Sequence, residues 1–335
     1  MAVLSANPAF WRDRNVLVTG ATGFLGGWLT DALVALEAQV VCVVRDEPGS
    51  SRFFLDGIHR KVSIVHGAIE DYRLMERALN EYEVDTVLHL AAQALVPIAN
   101  RNPLSTFEAN VQGTWTILEA CRRSPTVNRI VTASSDKAYG EVEGKSYVEG
   151  TSALKAEFPY DVSKACADLI AQSYHRTFET PLAITRCGNL YGAGDLNFNR
   201  IIPGTIRSIL RRERPLLRSN GTMVRDYLFV KDAVRACLAL AENLHRKEIQ
   251  GQAFNFSGEQ PRSVLDVVAL ITRLMQSNLK PKILDIAKAE IQEQALSTGK
   301  ANKLLKWKPA YRLENSLPET IAWYERFFGK AGVIA

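Results

Sequence analysis

Two side chains that can act together in proton transfer stand four residues apart. Tyr160 and Lys164 occupy positions i and i+4 of a segment with helical periodicity, so both project from one helix face. A phenol is a poor base at neutral pH, but a neighbouring ammonium favours the phenolate and lowers the phenol pKa. The same spacing also occurs by chance on helix surfaces, so the pair alone is a weak signal.

A polar segment, Ser134–Lys137, follows a short β-branched run at Arg129–Ala133 that predicts a strand. In a parallel sheet the ligand crevice lies beyond the carboxyl ends of the strands. The Ser135 hydroxyl can hydrogen-bond a reacting oxygen and orient it for Tyr160. Serines after a strand are also common turn formers. The conjunction of this segment with the tyrosine–lysine pair and a glycine-rich turn favours a catalytic site.

The glycine-rich turn follows the first predicted strand and opens the first predicted helix. Its glycines permit a tight turn and let a pyrophosphate approach N–H groups at the helix N-terminus, where the dipole favours negative charge. The alternative is a strand-to-helix turn without a ligand. We predict a dinucleotide site, and the turn residues expected to contact the cofactor are Gly20, Thr22, Gly23, Phe24, Leu25 and Gly26.

The end of the second predicted strand bears on the choice between NAD and NADP. A carboxylate there normally holds the adenosine ribose, but Val44 occupies that position and Arg45 follows it. An arginine can pair with a 2′-phosphate, which slightly favours NADP over NAD. Asp46 comes next and can still reach the ribose, so both forms of NAD(P)+ stay open.

Short β-branched runs alternate with longer amphipathic stretches in the first half of the chain. This alternation predicts a Rossmann-type α/β fold, a doubly wound parallel sheet with helices on both faces. The predicted strands are Asn15–Thr19, Val40–Val44, Val62–His66, Thr86–Leu90, Arg129–Ala133 and Leu182–Arg186. The predicted helices are Gly26–Leu36, Arg73–Glu81, Leu104–Arg123 and Tyr160–Phe178.

After about Gly192 the alternation loosens into loops and predicts a smaller interleaved C-terminal lobe. Its periodic segments are Arg200–Arg211, Lys231–Leu244, Ala253–Ser257 and Val264–Met275. We expect a dinucleotide-binding domain at 1–190, to which 226–260 returns. Residues 191–225 and 261–335 then form the substrate lobe.

Composition excludes several classes of protein. The 335 residues are 47% hydrophobic and 23% charged, as in a folded globular protein, and no apolar run approaches a membrane helix. Five cysteines without a C-x-x-C pair, together with five scattered histidines, predict neither a disulfide framework nor a metal site, and fit a reducing cytoplasm. The net charge of +5 is spread along the chain, so no nucleic-acid partner is expected.

Six segments, taken together, resemble the extended short-chain dehydrogenase/reductase family that acts on nucleotide sugars. They are TGATGFLG, HLAAQ, NVQGTW, SSDKAYG, YDVSK and RCGNLYGAGD. Within the family, Asp136 and Lys137 resemble the nucleotide-sugar 4,6-dehydratases, the CDP-glucose type in particular, whereas epimerases usually carry small residues there.

The resemblance implies a nucleotide-diphosphate hexose substrate and assigns further residues. Catalytic roles fall on Ser135, Asp136, Lys137, Tyr160 and Lys164. Additional cofactor contacts are expected at Ala91, Ala92, Gln93 and Asn110, although Gln93 and Asn110 can equally satisfy local backbone groups. Substrate contacts are expected at Ser134, Asn189, Arg200 and Arg225, the last through the paired donors that an arginine offers to a diphosphate.

The resemblance also implies a redox-neutral cycle. Tyr160 takes the proton of the sugar 4-hydroxyl, and Asp136 is the candidate acid for the departing 6-hydroxyl. In many dehydratases of this group the base is a glutamate at the place held here by Lys137, so the base stays open. Lys137 serves only if its pKa is depressed; otherwise it orients Asp136 or binds the keto oxygen. The alternatives are an epimerase or keto-sugar reductase of the same fold, or a non-catalytic NADP sensor.

Two predicted helices carry apolar residues around much of their circumference, Trp115 on Leu104–Arg123 and Leu169 on Tyr160–Phe178 among them. Burial within one subunit explains part of this pattern. Members of the family commonly pair these two helices across a two-fold axis, so we expect a homodimer joined by a four-helix bundle.

Overall fold

A computed structural model describes residues 6–141, 146–286 and 292–330. Its strands, numbered in chain order, are β1 (Asn15–Thr19), β2 (Gln39–Val44), β3 (Ser63–His66), β4 (Thr86–His89), β5 (Arg129–Ala133), β6 (Leu182–Cys187), β7 (Asn189–Tyr191), β8 (Leu216–Leu217), β9 (Val224–Phe229), β10 (Ala253–Phe256), β11 (Pro261–Ser263), β12 (Lys282–Ile283) and β13 (Glu293–Gln294). Its α-helices are α1 (Pro8–Trp11), α2 (Phe24–Ala35), α3 (Arg52–Leu55), α4 (Tyr72–Glu81), α5 (Val96–Arg101), α6 (Pro103–Phe107), α7 (Gly113–Arg123), α8 (Pro159–Phe178), α9 (Ile201–Leu210), α10 (Val230–Asn243), α11 (Val264–Leu274), α12 (Gly299–Leu305) and α13 (Leu313–Lys330).

The central sheet has seven parallel strands in the order β10-β6-β5-β4-β1-β2-β3. Its inner strands consist largely of buried apolar residues because helices cover both faces. Helices α2 and α10 pack on one face, and α4, α7 and α8 pack on the other. The predicted Rossmann-type α/β fold is therefore confirmed.

A second, smaller sheet stands beside the first. Strand β9 pairs with β11 and β13, and β7 adds to it in parallel. Helices α9, α11 and α13 bury a separate apolar core, which includes Ile206, Ile271 and Tyr324, next to this sheet. The predicted division of the chain into a dinucleotide domain and a substrate lobe stays a prediction.

Most predicted elements begin and end within two residues of the observed bounds, but Leu104–Arg123 is not one regular helix. It consists of α6, a π-helical turn at Glu108–Gln112, and α7. The helix α13 was not predicted, and Pro318 within it interrupts the helical signal. In the part of the chain that the structure describes, no helix is both long and apolar enough to cross a bilayer.

Candidate functional site

A cavity of about 1240 Å³ lies at the carboxyl ends of the central strands. One end is lined by the glycine turn between β1 and α2, and the middle by Ser134–Lys137 and the start of α8. The other end is lined by residues of 197–225, which include several arginines. The cavity is therefore long enough to bring both predicted binding regions and the predicted catalytic residues together.

The glycines of the turn before α2 let backbone segments approach closely and leave the helix N-terminus accessible. Gly20 has a φ of +76°, and a Cβ built on it would lie 2.7 Å from the backbone nitrogen of Ala91. A Cβ on Gly26 would collide with the backbone oxygen of Gly20. The N-cap residue Gly23 has no capping side chain, so the first N–H groups of α2 are available to an anion. The turn thus fits the pyrophosphate of a dinucleotide.

Lys164 lies deep in the site, one turn below Tyr160 on α8. Its Nζ donates a hydrogen bond to the backbone oxygen of Ala133, 2.8 Å away at the end of β5. Burial lowers the pKa of Lys164 to about 8, while the charges of Asp168 and Cys187 act in the opposite direction. The bond to Ala133 fixes the ammonium between the catalytic helix and the sheet.

The pKa of Tyr160 differs from the sequence-based expectation. Burial raises it to about 12, the charge of Arg200 and a hydrogen bond with Ser135 lower it, and the charge of Asp136 raises it. Loss of water around the phenol therefore outweighs the neighbouring cations of the chain. The protein's own groups hold Tyr160 protonated at neutral pH, and the expected lowering is not found.

Asp136 begins a single turn of 3₁₀ helix, Asp136–Tyr139, for which Ser135 is the N-cap. The Ser135 hydroxyl donates to Asp136 Oδ1 at 2.9 Å and accepts from the backbone nitrogen of Lys137 at 3.2 Å. Burial raises the pKa of Asp136, although the charges of Lys137 and Arg225 oppose this rise. A buried carboxyl of this kind is suited to donating a proton.

Lys137 also lines the cavity, and its Nζ donates to Gln294 Oε1 of β13 at 2.6 Å. Asp161, next to Tyr160 on α8, borders the same cavity. Burial raises the pKa of Asp161 to about 6, the charge of Lys137 lowers it and that of Asp136 raises it. The cavity wall therefore carries two carboxyl groups with raised pKa values and a lysine whose charge acts on both.

A buried ion pair connects the elements that carry this cluster. Arg186 of β6 makes two hydrogen bonds, each 2.8 Å long, to the carboxylate of Asp168 on α8. The same guanidinium donates to the Tyr139 hydroxyl at 2.8 Å, and Tyr139 donates in turn to Asn255. These bonds connect the 3₁₀ turn, α8 and two strands, so they hold Asp136 and Tyr160 in a fixed relation.

The predicted substrate contacts all line the cavity. Ser134 Oγ and Asn189 Nδ2 are buried, and neither finds a hydrogen-bond partner among residues 6–141, 146–286 and 292–330. Arg200 caps the start of α9 and pairs with Asp195 at 3.0 Å. Arg225 is buried on β9, where it donates to the backbone oxygen of Val224 at 2.9 Å. Unused polar atoms beside arginines suit a diphosphate.

The lining of the cavity includes some of the predicted cofactor residues and not others. Gly20, Gly23, Phe24, Leu25, Gly26 and Ala92 line the cavity, but Thr22, Arg45, Ala91, Gln93 and Asn110 do not. The exposed Arg45 guanidinium pairs with Asp46 at 2.7 Å. Asn110 is buried and bonds the backbone of Gln93 and the hydroxyl of Ser163. Of its two sequence-based alternatives, the structure shows Asn110 satisfying local groups.

Sequence reasoning overlooked several lining residues. The cavity is also bordered by Asp161, Cys187, Arg207, Arg214, Arg218 and Tyr227. An acid directly after Tyr160 was a readable signal, because any residue in the first turn of α8 lies close to the catalytic pair. Arg214 and Arg218 sit on the loops around β8, whose conformation has no short-range sequence signature, whereas Arg207 lies in the last turn of α9.

Comparisons with known proteins agree with this site. Residues 16–256 match the model of the NAD dependent epimerase/dehydratase family. The chain is 28% identical to CDP-glucose 4,6-dehydratase of Salmonella typhimurium over 331 residues, covering 94% of this chain and 92% of that protein. It is 29% identical to dTDP-glucose 4,6-dehydratase of Xanthomonas campestris, with 92% of each chain covered.

Two solved structures are similar throughout. UDP-glucose 4-epimerase of Thermotoga maritima with UDP-glucose superposes with a TM-score of 0.85 at 26% identity, covering 93% of this chain and 99% of that one. dTDP-glucose 4,6-dehydratase of Bacillus anthracis in complex with NAD has a TM-score of 0.82 at 27% identity, covering 93% and 97%. Both a dehydratase and an epimerase therefore share this fold.

Proposed function

The chain belongs to the NAD-dependent epimerase/dehydratase family, and on that basis we propose that it is a nucleotide-sugar 4,6-dehydratase. The substrate is a nucleotide-diphosphate hexose, and the product is its 4-keto-6-deoxy derivative with loss of one water. The observation that carries the proposal is the buried Asp136, whose raised pKa provides an acid beside the catalytic pair. Loss of the 6-hydroxyl needs such an acid, and exchange of configuration at carbon 4 does not.

Each part of the site has its own role in the proposed reaction. The glycine turn and the N-terminus of α2 hold the pyrophosphate of the dinucleotide, and Lys164 fixes the position of Tyr160. Bound NAD(P)+ supplies the acceptor for the carbon-4 hydride and a positive ring that favours the Tyr160 phenolate. Tyr160 takes the 4-hydroxyl proton, and Ser135 orients that oxygen. Asp136 protonates the departing 6-hydroxyl.

The diphosphate and its sugar extend towards the second sheet. Ser134 and Asn189 offer unused polar atoms, and Arg200 and Arg225 offer charge. We assign this end to the nucleotide sugar and residues 191–225 and 261–335 to the lobe that forms it. Two motifs favour different nucleotides. The pair Asp136–Lys137 favours CDP-glucose as the substrate, whereas the RDY sequence at 225–227 favours TDP- or UDP-sugars.

The predicted preference for NADP over NAD rests on Arg45 alone. Because its guanidinium is exposed at the end of β2 and paired with Asp46, a 2′-phosphate has to compete with that carboxylate. Replacing Arg45 by Ala should weaken binding of NADP more than binding of NAD in titrations of both dinucleotides. An equal effect on both would remove the basis for NADP.

We also propose a homodimer in the cytoplasm, joined through α6, α7 and α8 as a four-helix bundle. Apolar side chains on these helices face outwards: Leu104 is 66% exposed, Trp115 45% and Leu169 55%. Exposed apolar side chains of this size are typical of an interface when they form one patch. Helices α6 and α7 each pack against α8 within the subunit.

The direct test is incubation of the purified protein, with NAD or NADP, with CDP-, dTDP- and UDP-glucose, followed by NMR of the products. A 4-keto-6-deoxy sugar is the expected result. An inverted carbon 4 would assign an epimerase, which the similarity to UDP-glucose 4-epimerase makes the main rival. Net consumption of reduced dinucleotide with a keto sugar would assign a reductase. Dinucleotide binding with no turnover would assign a sensor.

A further inference from the structure

Dehydration needs a base as well as an acid. Once carbon 4 is a carbonyl, the carbon-5 proton becomes acidic, and a group with a free lone pair has to remove it. Lys137 donates through Nζ to Gln294 at 2.6 Å, and an ammonium has no lone pair to offer. The base is therefore better sought elsewhere on the cavity wall.

We propose that Asp161 is the base that removes the carbon-5 proton, an inference that rests on the proposed dehydratase function. Asp161 is the third residue of α8, directly after Tyr160, and it lines the cavity with Asp136 and Lys137. Tyr160 receives the proton of the neighbouring 4-hydroxyl, so a group beside Tyr160 is placed for the adjacent carbon.

The surroundings of Asp161 favour a catalytic role for its carboxylate over a role in stabilising the fold. The residue is only 8% exposed, and its carboxylate oxygens open onto the cavity; within the described ranges no side chain and no backbone N–H is hydrogen-bonded to them. A buried structural carboxylate is normally hydrogen-bonded or paired, as Asp168 is with Arg186. A largely buried carboxylate that faces a cavity without a hydrogen bond is therefore a candidate catalytic residue.

Charge also suits Asp161 to this role. Burial raises its pKa to about 6, which makes the carboxylate a stronger base than an ordinary aspartate while leaving it largely ionised at neutral pH. The groups that face it are Lys137, which favours ionisation, Asp136, which opposes it, and Tyr160 on its own helix. Lys137 thus acts on the base through its charge.

The protons and electrons of this step balance. Asp161 takes the carbon-5 proton, and the C–H electrons form an enolate with the carbon-4 carbonyl. The enolate re-forms the carbonyl as the bond between carbons 5 and 6 becomes double and the C6–O bond breaks, with Asp136 protonating the leaving hydroxyl to give water. The double bond is then saturated at carbon 6 by the hydride taken from carbon 4, and at carbon 5 by the proton on Asp161 after that proton has exchanged with solvent. The proton that Tyr160 took from the 4-hydroxyl replaces, through solvent, the one that Asp136 gave.

The test uses Asp161→Asn, with Glu157→Gln as the matched control, because the exposed Glu157 precedes the same helix and loses the same charge. In deuterated water the wild type should form product that carries deuterium at carbon 5. Asp161→Asn should dehydrate about 100-fold more slowly or worse, with reduced nicotinamide accumulating in a single turnover. Glu157→Gln should keep the wild-type rate. The wild-type dehydration rate should also fall below an apparent pKa near 6, a limb absent from the residual activity of Asp161→Asn.

Other outcomes overturn the assignment. If Asp161→Asn dehydrates the substrate and incorporates deuterium at the wild-type rate, Asp161 is excluded as the base while the dehydratase function stands. Loss of carbon-5 exchange in Lys137→Met but not in Asp161→Asn would assign the base to Lys137. A wild type that forms no 4-keto sugar from any nucleotide hexose would overturn both proposals. Asp161→Glu, which keeps the carboxylate, should regain part of the exchange and shows that the site tolerates substitution.

Discussion

Replacing Asp161 by Asn should make the protein more stable while it makes the enzyme slower. Asp161 is 8% exposed, and its carboxylate opens onto the cavity without a hydrogen bond to the described part of the chain; the loss of bulk water favours its protonated form in the folded state. A rise in the Asp161 pKa from 3.8 to about 6 corresponds to about 3 kcal/mol. We expect about 2 kcal/mol, because water in the cavity screens the charge.

The sign of the effect sets its pH dependence. A carboxyl group whose pKa is raised on folding stabilises the protein fully below its unfolded pKa, and that contribution is lost as the pH rises through the folded value. The stability advantage of Asp161→Asn should therefore be largest at pH 8 and fall to about half at pH 5, since the unfolded chain still ionises there.

Urea denaturation of the wild type, Asp161→Asn and Glu157→Gln at both pH values measures this difference. Because each variant is compared with the wild type at the same pH, the titration of other groups cancels to first order. Glu157→Gln should show little change at either pH, because its side chain is exposed. A destabilised Asp161→Asn at pH 8 would refute the reasoning, since it would show that the carboxylate is compensated in the folded protein.

Three further perturbations test other parts of the structure. Gly26→Ala should weaken dinucleotide binding about tenfold or more by titration calorimetry, because its Cβ meets the turn backbone; unchanged affinity would place the phosphates elsewhere. Asp168→Asn should lower the free energy of unfolding, measured by urea denaturation, by about 3 kcal/mol, because it leaves Arg186 buried beside a neutral partner. A decrease under about 1 kcal/mol, the value of an exposed ion pair, would show that this pair does not stabilise the site. Leu169→Asp should convert a dimer to a monomer in sedimentation, whereas an unaltered dimer would exclude α8 from the interface.

The regular parts of the fold follow from local patterns. Runs such as Val40–Val44 are apolar on both faces, which only a covered parallel strand accommodates, so sheet strands were predicted to within a residue. The segments that line the cavity at Ser134–Lys137 and at the start of α8 could be located because each follows a strand or begins a helix. The pairing of β9 with β7, β11 and β13 joins residues far apart in the chain, and short-range periodicity carries no trace of it.

The electrostatics of the site could not be predicted in the same way. The spacing of Tyr160 and Lys164 gives their proximity, but the pKa of Tyr160 depends on how much water the folded chain removes. For the same reason Asp161 reads in the sequence as an ordinary acid of a first helical turn. Its burial and its lack of a described partner appear only when β5, α8 and the cavity are placed together.

The π-helical turn at Glu108–Gln112 makes the chain unusually sensitive to the count of residues there. Such a turn spreads one residue more than an α turn over about the same rotation, so the two halves of the helix keep their faces; a second added residue would rotate one half against the other by about 100°. Asn110 would then leave the Gln93 loop, or the outward face of α7 that carries Trp115 would swing into the core. An insertion in this segment should consequently disable the protein even where substitutions in it are tolerated.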